Sequence, residues 1–191
     1  MEPISFEKLE LYLSYDFMPI NQYAGIIYSL NEVFKNVLWL PNFIDNPVLF
    51  ENFQGYPPYE YPLCINQIHS GDSIKAEFSF SKGFFPNIKI ENDNLKIILP
   101  YWSAALILAG QILSYGIDKY DQYLDIEIKQ MELHEKVSAE IKSKSAEIIS
   151  LKKDGTNPLF ISLLESVTNF KSQINQLNIH SARINGITLS K

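Results

Sequence analysis

The sequence predicts an α+β chain: a small, mainly antiparallel sheet covered by helices, with a long helix forming an extended antiparallel helical hairpin. Three observations carry this. Leu9, Leu11, Leu13 and Tyr15 alternate with Glu10, Tyr12 and Ser14, the two-residue period of a half-buried strand. Ile26, Ile27, Leu30, Val33, Phe34, Val37 and Leu38 recur at helical spacing and make one apolar face. Residues 97–117 hold no charged side chain, and they lead straight into the strongly charged stretch 118–153.

Between the opening strand and helix, residues 16–19 break the alternation, and Pro41 stops the helix. Residues 39–62 are rich in proline and aromatic rings. Asn46 before Pro47 fits an N-cap followed by the first helical position, so one short helix is expected there. The rings of this stretch either cap an open sheet face or offer an aromatic contact surface, with Trp39, Phe43, Phe53, Tyr56 and Tyr59 as its candidate residues.

A less regular strand is expected over 63–69. Ser70-Gly71-Asp72 has the composition of a tight turn. Ile74, Ala76, Phe78 and Phe80 then alternate without error with Ser73, Lys75, Glu77, Ser79 and Ser81, completing an antiparallel hairpin. Residues 88–90 and 95–99 read as a second hairpin, with a helix starting near Asp93 or Asn94 as the rival reading.

The long helix is expected from Pro100, a residue suited to a helix start. Ser103, Gly110, Ser114, Asp118, Asp121 and Asp125 trace a weakly polar stripe along it, which suggests a core helix with one face near solvent. The stretch 97–117 is long enough to cross a bilayer, so one membrane span is the alternative, with an inner-membrane association. Farther along, Tyr120, Leu124, Ile128, Met131, Val137, Ile141 and Ile148 form a narrow apolar seam. Asp125/Lys129, Glu132/Lys136 and Glu140/Lys144 are acid-before-base pairs on a solvated helix.

As one straight helix, residues 101–151 would reach about 75 Å at 1.5 Å per residue. A compact domain of this size has a radius of gyration of about 16 Å. The helix therefore breaks near Gly110 or Gly116, or it projects and needs a partner for its seam. Gly155 and Asn157-Pro158 mark a stop and a fresh start, and a second amphipathic helix over 158–178 returns antiparallel to the first. Asn185-Gly186 suits a type I′ turn in a terminal hairpin over 182–189. The whole chain, 1–191, reads as one domain: a sheet-containing part, 1–99 with 179–191, and a helical-hairpin part, 100–178.

Chemistry is sparse. A net charge of -6 and the lack of a basic cluster argue against nucleic-acid binding. Cys64 is the single cysteine, so no intrachain disulfide forms. With no secretion signal in the first residues, a reducing cytoplasm is expected, and abundant Ile, Lys and Asn suggest a bacterial source. Gly71-Asp72-Ser73-Ile74 resembles the nucleophile block of the Gly-Asp-Ser hydrolases. That family needs Asp-x-x-His near its C-terminus, and here Leu177 stands three residues before His180. Asp118, Asp121 and Asp125 lack the Glu-x-x-His partners of a bundle metal site, because Met131 stands three before His134. Cys64 with His69 or His180 is better read as a small core residue than as a nucleophile pair. No phosphate loop is present. No cofactor, metal or catalytic residue is assigned.

The expected function is a protein–protein interaction or assembly module. It is a cytoplasmic homo-oligomer or partner-binding chain, with a coiled-coil-like contact through the long helix and a second contact through the aromatic loop. A membrane-associated protein is the alternative, and a cryptic enzyme the third reading.

Overall fold

The opening alternation becomes strand β1, Leu9–Tyr15, in the computed structural model, which describes residues 9–38, 63–80, 92–130, 133, 135–176 and 179–189. Leu9, Leu11 and Leu13 are wholly buried, and Glu10 and Tyr12 are half-buried on the other face. Helix α1, Ile20–Leu38, runs back over the sheet and buries Ile26, Leu30, Val33, Phe34 and Val37. Each such side chain contributes roughly 1.5–3 kcal/mol when it leaves water.

β2, Leu63–Ser70, and β3, Ser73–Phe80, form the expected antiparallel hairpin, with Gly71 and Asp72 in its turn. A bulge between Ile65 and Gln67 explains why the alternation of β2 is irregular. β4, Ile179–Ile184, and β5, Ile187–Thr188, close the chain. Their turn residues Asn185 and Gly186 have φ of 50° and 79°, both positive as a type I′ turn requires. The five strands lie in the order β2-β3-β1-β4-β5, and every neighbouring pair is antiparallel. The fold class is α+β.

Four more helices follow α1 among the described residues: α2, Asn92–Tyr115; α3, Tyr120–Gln130; α4, Glu135–Lys153; and α5, Pro158–Asn175. α2 is central, touching β1, β4, α1, α3, α4 and α5. Residues 103–114 are buried all round, as expected for a helix enclosed by other elements. Among the described residues, no helix is long and apolar enough to cross a membrane.

Several expectations are corrected here. Residues 95–99 belong to α2 and not to a strand; Asn92-Asp93-Asn94 are as good at a helix start as in a turn. Pro100 lies within that helix, which forgoes one backbone hydrogen bond there. The polar stripe does not face solvent along α2: Ser103, Gly110 and Ser114 are buried, because elements pack on every side. Residues 88–90, and the short helix expected after Asn46, lie outside the described residues.

The uninterrupted long helix is absent too. Gly116, at φ 81°, receives the end of α2 in the left-handed conformation that glycine tolerates. Its N–H donates to Ile112 O at 2.8 Å, and its carbonyl accepts from Lys119 and Tyr120. The Tyr115 and Tyr123 rings stack across the break, 4.3 Å between centroids. α4 packs on α2, while α5 lies antiparallel along α1. Asn36 and Ser162 exchange hydrogen bonds at one end of that pair, and Gln173 sits against Gly25 at the other. The extended helical hairpin expected over 100–178 is therefore not formed by these described elements.

Candidate interaction surface

The seam expected to face a partner lies largely inside the chain. Tyr120, Leu124, Val137, Ile141 and Ile148 are buried in the hydrophobic core, and Ile128 is partly buried against it. The cause is the break at Gly116, which lets α3 and α4 fold back onto α2. Met131, Trp39, Phe43, Phe53, Tyr56 and Tyr59 lie outside the described residues.

The core also takes in polar groups. Tyr120 Oη donates to the Ser145 carbonyl at 3.1 Å. Burial pushes the Tyr120 hydroxyl well above its usual range. Lys144, expected on a solvated face, is wholly buried with Nζ 3.7 Å from Glu140 Oε1. Burial pulls its ammonium down to about 8, against the opposing pull of the Glu140 and Glu147 carboxylates. Burial likewise raises the Glu140 carboxyl. Asp118 instead pairs with Lys152 at 3.2 Å.

The residues of small-molecule chemistry are scattered. Gly71-Asp72 makes the hairpin turn, and the His180 imidazole stands 2.9 Å from Asp16 Oδ1 in an exposed contact. His180 borders a groove of about 220 Å³ between α5 and the β4–β5 hairpin, floored by Phe170, Ile174, Ile179 and Leu189. Among the described residues, no group of His, Cys, Asp and Glu gathers as a metal site.

Exposed large apolar side chains are found on α3 (Tyr123, Ile126), on α5 (Ile161, Leu164), and around α1 and β2. Phe17 is 78% exposed and Ile20 is 85% exposed at the entry to α1, and Tyr28 is exposed two turns along. Ile20, Ala24 and Tyr28 recur every four residues, so they share one side of the helix. Asn31 falls on that same side, and its Oδ1 accepts from the Leu63 N–H at 3.2 Å. This contact ties that side of α1 to the start of β2.

β2 presents its own apolar groups there. Ile65 stands opposite Phe78 and Ile68 opposite Ala76, which places both on the helix-covered face of the sheet. Phe78 and Ala76 are wholly buried, yet Ile65 is 44% and Ile68 46% exposed. Among the described residues, the helices leave these two side chains of the edge strand part-exposed. Rising about 3.3 Å per residue along β2 and 1.5 Å along α1, the segments Leu63 to Ile68 and Asn31 to Ile20 cover similar lengths of about 16 Å. Ile20, Tyr28, Ile65 and Ile68 are thus exposed apolar groups on two elements tied at the Asn31–Leu63 contact.

Sequence reasoning missed these residues. The signal for Ile20 and Tyr28 was their place off the main apolar stripe of α1. Ile65 and Ile68 carried none, because the reach of the helical layer is a tertiary property. Compared with protein-family models, curated proteins and solved structures, the chain matches none.

Proposed function

We propose that the chain is a protein-interaction or assembly module whose contact surface is the α1–β2 face. The observation that supports this reading is the exposure of Ile65 and Ile68 on the side of the sheet where Phe78 and Ala76 are buried. Apolar groups grouped with Phe17, Ile20 and Tyr28 gain free energy when a protein covers them, at about 25 cal/mol per Å². α2 packs on both the sheet and α1, and a face held by such packing loses little to ordering on binding.

The test pairs light scattering over a range of concentrations with capture of host proteins on the immobilised chain. A specific complex is expected, with this chain or another protein, and Ile20→Lys combined with Ile65→Lys should abolish it. A chain that captures nothing and stays monomeric overturns the reading. So does a complex untouched by those two substitutions in a variant whose circular dichroism is unchanged.

A further inference from the structure

We infer that the occupant of this face is a second copy of the chain, joined β2 to β2, antiparallel, about a two-fold axis perpendicular to the sheet. The inference rests on the interaction-module reading above and names its partner.

β2 is an edge: among the described residues it pairs with β3 on one side only. Ile65, Gln67, Ile68, His69 and Ser70 are all exposed. A long strand edge open to solvent is a template for another strand unless charge, proline or shortness blunts it. β2 is eight residues, Leu-Cys-Ile-Asn-Gln-Ile-His-Ser, with no Asp, Glu, Lys, Arg or Pro. The opposite edge, β5, has two residues. One edge is blunted and the other is not.

The pattern of β2 fits itself. The bulge lets Ile65 and Ile68 share a face although they are three residues apart. A two-fold axis between Asn66 and Gln67 sets Ile65 opposite Ile68 of the second copy, and the same pair recurs by symmetry. Two cross-strand Ile–Ile pairs then form on the apolar face. The same register sets Cys64 opposite His69 of the second copy. Both positions belong to the other face, since their β3 partners are Ser79 and Lys75. Each copy carries a charge of -6, but none of it is on the joining strand, where a like charge would be most costly.

Charge also favours a second copy over a strongly charged partner. β2 itself offers only uncharged side chains to its occupant, and Lys75, on the next strand, lies 3.3 Å from Glu10 and 3.7 Å from Glu77.

Two variants test the inference. Light scattering of the wild type should give twice the chain mass at high concentration, and Ile68→Lys should return it to the mass of one chain with its circular dichroism unchanged. His69→Cys, with native Cys64 kept, should give a covalent dimer on oxidation. The wild type should not, because Cys64 of the two copies lies about 17 Å apart along the strands, beyond a disulfide's reach. A dimer indifferent to Ile68→Lys that yields no His69→Cys cross-link overturns the β2 pairing. A monomer that still captures a different protein, and loses it on the Ile20→Lys and Ile65→Lys changes, overturns the second copy while leaving the module reading standing. A monomer that captures nothing overturns both.

Discussion

Asn185 and Glu10 hold each other through two hydrogen bonds. The Asn185 N–H donates to the Glu10 carbonyl at 2.9 Å, and the Glu10 N–H donates to Asn185 Oδ1 at 2.8 Å. The side chain thus takes the place of a strand partner just where β4 turns away from β1. Asparagine also tolerates the positive φ of this position better than most residues. Asn185→Ala should cost about 1–3 kcal/mol by losing the acceptor and adding backbone strain. Asn185→Asp, which keeps an acceptor, should recover most of this. Urea unfolding midpoints of the two variants make the comparison.

Gly110 is where α2 crosses the sheet. A Cβ there would stand 3.1 Å from Asn185 Nδ2, 3.3 Å from Leu9 Cδ1 and 3.4 Å from Ile184 Cγ2. In an exposed helix, Gly→Ala gains about 1 kcal/mol of propensity. Here Leu9 and Ile184 are wholly buried and Asn185 is held by Glu10, so the neighbours have little room to give. Gly110→Ala should be neutral or worse, and Gly110→Val should cost about 1–3 kcal/mol. Thermal unfolding decides the matter; a stabilised Gly110→Val would sink the packing argument.

Lys144 gives stability a pH dependence with a definite sign. Its pKa falls from 10.5 to about 8 in the folded chain, chiefly through burial. Between those values the unfolded state binds more protons, so this group makes the fold more stable as pH rises from about 8 toward 10. Lys144→Met should remove that increment. The difference in unfolding free energy between Lys144→Met and wild type should accordingly shrink over the same interval. A constant difference would mean that Lys144 titrates alike in both states.

Tyr120 acts in the opposite sense at higher pH. Its folded pKa is raised above 10.0 by burial, so its contribution is complete below pH 10 and is lost as pH rises further. Tyr120→Phe should make alkaline unfolding less steep. At neutral pH it should cost about 1 kcal/mol through loss of the hydrogen bond to Ser145. Alkaline denaturation followed by circular dichroism measures both.

Local periods made much of the fold legible. The alternation of β1 and β3, the apolar stripe of α1 and the Asn-Gly turn are each written within a few residues, and each is found where it was expected. Environment was harder to read. Ser103 and Ser114 looked like a solvent stripe because residue type alone does not tell how many elements enclose a helix. The seam through Tyr120 and Ile141 was visible as a seam, but its pattern is the same whether the chain's own helix or another molecule covers it. Gly116 stood as one of two candidate breaks, and its left-handed backbone decides between them. Ile65 and Ile68 carry no local signal, because their exposure depends on how far the described helices reach.

The unequal margins of the sheet also limit what the chain can build. Among the described residues, eight on one side and two on the other leave one long margin for strand addition. Units with a valence of one terminate growth at the first encounter, so copies joined through β2 as inferred above would pair off and not propagate into a fibre.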